Sequence, residues 1–358
     1  MHLVSCLCGS VTQKVSPQAP GTSGSIELAL CHCDTCRHST GLLCTSYLPI
    51  QEPDSTDKLT VFKGSDRSSR YFCSACGCHV FRSLKKDAGE LSWGVATGTI
   101  SSSDELSESV IYGTHTHVAD TVDDGLSKWI SLDKHKIPSD NSTSKVMLPA
   151  ETASLEATCA CGGLSLRITR PNETSRLPQR GYSDLTHPYC STEDSVRSNP
   201  SDEKWWVRGI KYFAGTCACR SCRLISGFEI QTWAFVPAAN IFLRTPGEAK
   251  AEIPLDFEGL PVNVLQSYRS SPGVFRDFCG KCGATVFWRD SSDPSVVDVS
   301  VGLLRSEDGA RAESWLEWCT ERVSFLEEVQ TGRSGPLAAA SQDLMDTLVH
   351  GLKAETRS

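Results

Sequence analysis

Apolar residues in this chain come in short runs, some continuous and some alternating with polar residues, and Gly, Pro and Ser interrupt them before a helical period can build. Leu42 to Leu48, Leu91 to Thr97, Gln231 to Val236 and Val296 to Val301 have this form. Runs of that length between turn-forming residues read as strands, so the pattern predicts a mainly β protein. One stretch differs. Leu344, Met345, Leu348, Val349 and Leu352 recur at 3.6-residue spacing, which predicts a short C-terminal helix that docks by that face on its own domain or frays, in preference to binding a partner.

Cysteines punctuate the strands, and they do so in one order twice. The first set is Cys6-Leu7-Cys8-Gly9, then Cys31-His32-Cys33-Asp34-Thr35-Cys36-Arg37, then Phe72-Cys73-Ser74-Ala75-Cys76-Gly77. The second is Cys159-Ala160-Cys161-Gly162, then Cys217-Ala218-Cys219-Arg220-Ser221-Cys222-Arg223, then Phe278-Cys279-Gly280-Lys281-Cys282-Gly283. Together the sets use 14 of the 18 cysteines; of the four outside them, Cys44, Cys78, Cys190 and Cys319, the last two are expected free thiols. The repeat predicts two modules, 1–132 and 154–330, with a polar linker over 133–153 and a tail over 331–358. The cysteine pairs are expected on turns between strands. Cys161 and Cys217 lie 56 positions apart, against 23 from Cys8 to Cys31. The excess falls on Pro171 to Asp202, rich in Ser, Pro, Asn and Arg, and reads as an inserted surface loop.

Composition decides how the sulfurs are read. The start, Met1-His2-Leu3-Val4-Ser5-Cys6, lacks the basic and apolar regions of a secretory signal. No apolar run approaches the roughly 18 residues of a membrane span. The expected setting is a reducing compartment, the cytoplasm or the nucleus, where closely spaced thiols hold metal rather than form disulfides. There the sequons at Asn141 and Asn172 carry little weight. A net charge of −8 argues against general affinity for a nucleic-acid backbone. No phosphate-binding Gly-rich loop, His-Glu-X-X-His helix or Gly-X-Ser-X-Gly elbow occurs.

Counting sulfurs gives two spheres per module. The outer motifs supply four ligands, Cys6, Cys8, Cys73 and Cys76 in one module and Cys159, Cys161, Cys279 and Cys282 in the other, which is a closed structural zinc site. Cys31, Cys33 and Cys36, and likewise Cys217, Cys219 and Cys222, leave three sulfurs and an open position. A nearby residue could close the first triad, with Cys44, Cys78, His32, His38 and His79 as candidates. Their counterparts in the repeat are Ile230, Ala284, Ala218, Leu224 and Thr285, none a thiol or imidazole. Both the open and the closed reading stand here. Zinc already bound to three thiolates suits another thiolate better than hydroxide, which points to thiol chemistry. Arg37 and Arg223 follow the last sulfur of each triad and are placed to meet the carboxylates of an acidic thiol such as glutathione. Arg67, Arg70, Arg82, Lys85 and Lys86 read as a solvated basic face. His115 and His117 are further residues that could approach the first triad.

These ordered motifs, with Gly41 or Gly227 following each triad, resemble the glutathione-dependent formaldehyde-activating enzyme and centromere protein V family in tandem form. The resemblance covers both modules. It implies a β-tent fold of small antiparallel sheets around a structural zinc, with Cys31, Cys33, Cys36 and their counterparts Cys217, Cys219, Cys222 holding a catalytic zinc. It also implies a carbon–sulfur lyase joining glutathione and formaldehyde as S-(hydroxymethyl)glutathione. The centromere-associated side of the family implies the alternative, a non-catalytic zinc scaffold for a protein or nucleic-acid partner. Where many relatives carry Lys two residues after the triad, this chain has His38 and Leu224. The second module shows Ala312-Glu313-Ser314-Trp315 roughly where the first has His115-X-His117. On these departures the first module is expected to be the better enzyme and the second degenerate or structural.

Overall fold

The computed structural model describes residues 1–358 except 19–23, 88, 104–108, 133–153, 245–251, 261–264 and 357–358. The linker expected over 133–153 lies outside the described residues. The fold is mainly β, as the runs predicted. In the first module five antiparallel strands lie in the order Tyr47–Ile50, Leu91–Ala96, His79–Lys85, Ser68–Cys73, Leu59–Ser65. A second small sheet joins Thr12–Val15, His2–Ser5 and Ile100–Ser102, and Ser25–Cys31 pairs in parallel with Ser109–Thr116.

The second module repeats this plan in larger sheets. Gln231–Pro237, Val296–Ser300, Thr285–Asp290, Val274–Phe278 and Gln266–Ser271 follow one another in the same order. Lys211–Cys217 extends that sheet and pairs in parallel with Leu316–Trp318. Every residue of Gln231–Pro237 is buried because both faces are covered. Ala234 and Val236 point into the main core, while Phe235 packs with Tyr182, Leu185 and Trp205.

Not all expected strands are strands. Leu42 to Ser46 is irregular, and the ladder begins only at Tyr47. The tail is also not the only helical part. Four α-helices occur among the described residues: α1 (Asp34–Thr40), α2 (Asp194–Arg197), α3 (Arg220–Ser226) and α4 (Pro336–Glu355). Helices α1 and α3 span seven residues each, under two full turns, so no hydrophobic period could reveal them.

The modules pack through contacts that come in reciprocal pairs. The Gly98 N–H donates to Gly227 O at 3.0 Å and the Gly302 N–H to Gly41 O at 3.2 Å. Gly41 and Gly227 are the left-handed C-caps of α1 and α3, with φ of 81° and 82°. A Cβ on Gly41 would overlap Thr285 O, and one on Gly227 would overlap His79 O. Each site helix therefore ends against the backbone of the other module. This is the self-complementary arrangement of a two-fold dimer, built within one chain.

Two further elements depart from expectation. The 171–202 insert is no mere surface loop: Tyr182, Asp184 and Leu185 are buried, and it folds back over the second triad. Helix α4 runs over 20 residues and docks chiefly on the first module, although Ser341 also bonds Glu229 of the module that precedes it. It lies against Ser109–Thr116, a Cβ on Gly351 would overlap Trp129 O, and Glu355 accepts from Lys128 Nζ at 2.6 Å. No helix among the described residues is long and apolar enough to cross a membrane.

Candidate metal centres

Both four-sulfur sets assemble on turns, as the spacing predicts. Cys6 and Cys8 occupy the turn after His2–Ser5, and Cys73 and Cys76 the turn after Ser68–Cys73. Cys6 and Cys8 sulfurs lie 3.4 Å apart, Cys8 and Cys73 3.6 Å. In the copy, Cys159 is 3.4 Å from Cys161 and 3.7 Å from Cys279, and Cys282 completes the group. Zinc bound to four sulfurs at about 2.3 Å sets them about 3.8 Å apart, so these donors fit the ion. All the cysteines are free thiols.

The triads sit at helix N-termini. Cys33 caps α1 and Cys219 caps α3, each sulfur accepting the N–H of the third cysteine, Cys36 or Cys222. Cys31 Sγ lies 3.6 Å from Cys33 and 3.4 Å from Cys36. In each triad the three sulfurs lie within 4.8 Å of one another, and no other His, Cys, Asp or Glu among the described residues joins the group. Three thiolates so placed fit zinc with a position to spare.

Arg37 and Arg223 have partners other than a substrate carboxylate. Both are buried; Arg37 bonds Asp34, His32 O and Asp120 O, and Arg223 bonds Gly98 O and Thr331 O. The cations that touch sulfur are Arg70, whose Nη2 is 2.9 Å from Cys36 Sγ, and Arg276, whose Nη1 is 3.5 Å from Cys222 Sγ. Arg67, Lys85 and Lys86 are exposed as expected, whereas Arg70 is buried. Hydrogen bonds from Cys31 and Cys33, with the Arg70 charge, hold the Cys36 thiol well below its ordinary pKa. Bonds from Cys217 and Cys219, with Arg276, do the same for Cys222. The signal was present in the sequence as a repeated Arg-X-Phe-Cys, at Arg70 and Arg276.

His32 turns away from the first triad: its Nε2 is 2.8 Å from His115 Nδ1, and burial, then His115 and Arg37, push its pKa down to about 3. His117 stays close, with Nδ1 3.7 Å from Cys31 Sγ. Its counterpart is Phe325, not the Ala312–Trp315 stretch. The His32 N–H donates to Thr116 O and the Ala218 N–H to Ser324 O, both at 2.9 Å. The next residues, His117 (φ 58°) and Phe325 (φ 51°), share a left-handed conformation.

A family model described as glutathione-dependent formaldehyde-activating enzyme matches residues 1–116 and again 207–321. The chain belongs to the glutathione-dependent formaldehyde-activating enzyme family. No curated protein and no solved structure matches it. The second family match begins after Cys159 and Cys161, and only folding returns those sulfurs to Cys279 and Cys282.

The second site of this family member differs from the first in its surroundings. Its three sulfurs are buried, whereas Cys31 and Cys33 are partly exposed. A cavity of about 580 Å³ reaches Cys217, Cys219 and Cys222 between the insert and the main sheet, within the range of small-molecule sites. Asp298 faces this cavity, and burial pushes its carboxyl up to about 7 against the opposing charges of Arg180 and Arg276. Neither the cavity walls nor Asp298 is visible in a cysteine pattern.

Proposed function

We propose that the protein is a zinc-dependent carbon–sulfur lyase that interconverts glutathione and an aldehyde, formaldehyde in the simplest case, with their S-(hydroxymethyl)glutathione-type adduct. The observation that carries this reading is the repeated three-sulfur group with no further ligand among the described residues. Cys31, Cys33 and Cys36, and Cys217, Cys219 and Cys222, would hold zinc, which when bound supplies an open position that keeps a further thiolate ionised. Family membership supports glutathione and an aldehyde as the substrates.

The protein's own groups have definite tasks in this reaction. Hydrogen bonds from the neighbouring triad sulfurs, supported by the charges of Arg70 and Arg276, hold one sulfur of each triad as thiolate. In cleavage, the carbon–sulfur electron pair passes to the thiol sulfur, the adduct hydroxyl gives up its proton and the carbonyl forms; addition is the reverse. His117 Nδ1, beside Cys31, is placed to hold that proton in the first module. In the second module the imidazole is replaced by Phe325, and Asp298 is the titratable group facing the cavity. Free clustered thiols suit a reducing compartment such as the cytoplasm.

Native mass spectrometry of the reduced protein, with and without glutathione, tests the reading. Four zinc ions per chain and glutathione uptake that is lost when both triads are disrupted, in the C33S/C219S double variant, are expected. Two zinc ions and no uptake would instead favour a non-catalytic zinc scaffold.

A further inference from the structure

The two triads are matched by the repeat, but the residues facing them are not. Arg82 stands opposite Gly94 in the first module, and Trp288 opposite Asp298 in the second. Leu48 stands opposite Val95, and Ala234 opposite Val299. By this register Phe235, Trp288 and Asp298 occupy the places of Pro49, Arg82 and Gly94, as Phe325 occupies that of His117. All four second-module residues line the one cavity above Cys217, Cys219 and Cys222. Tyr182 and Tyr189 of the insert add aromatic wall, and the first module's shorter connection has no matching segment.

Charge separates the sites in the same direction. In the first, Arg82 lies over the Tyr47 ring at 4.4 Å and Arg70 donates to the Tyr47 hydroxyl at 2.7 Å, which puts two guanidinium groups about one ring next to Cys36. In the second, the cations bordering the cavity already have partners. Arg276 faces the Cys222 sulfur, Arg197 pairs with Asp194, and Arg180 lies by Asp298. Asp290, Asp293 and Asp298 add carboxylates to the same walls. A ligand with two carboxylates, such as glutathione, finds no uncompensated cation there, whereas an uncharged ring meets aromatic faces of suitable size.

We infer that the second module takes a thiol, or its aldehyde adduct, whose substituent is an uncharged aromatic or branched apolar group, and that carboxylate-bearing thiols belong to the first module. This rests on the thiol-binding reading of the triads and adds which substituent each accepts. The insert then acts as a specificity wall, and the second module is a site of different selectivity rather than a degenerate copy.

Calorimetric titration of the zinc-loaded full chain with benzyl mercaptan and with glutathione tests this. Both thiols should bind. The ratio of benzyl mercaptan affinity to glutathione affinity should fall at least tenfold in W288R and in F325H, each of which installs the first module's residue, and should rise at least tenfold in C33S. A ratio unmoved by W288R and F325H, or one that falls in C33S, overturns the inference while leaving thiol binding intact. Failure of wild-type protein to bind either thiol overturns the thiol reading itself.

Discussion

Arg70 and Arg276 are the single residues on which the chemistry of the triads leans most. Each is buried, and each donates to the sulfur of the helix-borne third cysteine. A guanidinium there keeps a thiolate available, as groups beyond the ligands commonly do for metal sites. R276M keeps much of the volume and removes the charge. Zinc affinity of the second triad is expected to fall on the order of 10- to 100-fold, with the four-sulfur sites unchanged, as chelator competition followed by native mass spectrometry would show. The repeat also records a paired exchange. His32 and His115 bond each other in the first module, and their places are taken by Ala218 and Val323, both buried in the core. A lone imidazole at either position would leave a buried polar group without its partner.

At the scale of elements, three short or late segments place the sites. Helices α1 and α3 each start on a ligand and end on a glycine wedged against the opposite module, so the position of each triad is fixed from the far side of the molecule. Helix α4 acts as a strap over the first module. Leu344, Met345, Leu348 and Leu352 form its buried face, the set that the sequence period marks apart from the half-buried Val349. L348A is expected to cost about 2–5 kcal/mol. In a urea titration the loss should appear in the signal of Trp129, against which the helix ends, if the strap belongs to the first module.

Across the whole molecule, one buried ion pair ties together parts distant in sequence. Glu229 of the second module accepts from Arg333, just before α4, at 3.2 Å and from Thr97 Oγ1 of the first module at 2.7 Å. Both charged side chains are 1% exposed. E229A leaves the Arg333 charge buried without its carboxylate, and the expected cost is about 3–5 kcal/mol. Calorimetry should show both modules melting earlier. A drop confined to one module would mean that the pair does not couple them. The arrangement makes each module part of the other's support, although the repeat alone is equally compatible with two beads on a string.

The sequence by itself determined the cysteine groups and the β class, because the cysteines of one motif are adjacent in the chain and strand runs declare themselves by local pattern. Cys6 with Cys8, and Cys31 with Cys33 and Cys36, could be read directly. It also determined the duplication, since the motif order is written twice. Tertiary structure decided everything that depends on which distant surfaces meet. It buried Arg37 and Arg223 in backbone contacts and brought Arg70 and Arg276 to the sulfurs. It set Phe325 where the first module has His117, laid the 171–202 insert over the second triad, and sent α4 to the first module. Apart from the repeated Arg-X-Phe-Cys at Arg70 and Arg276, none of these has a local signature, because the contacts that set them are made with residues distant in the chain.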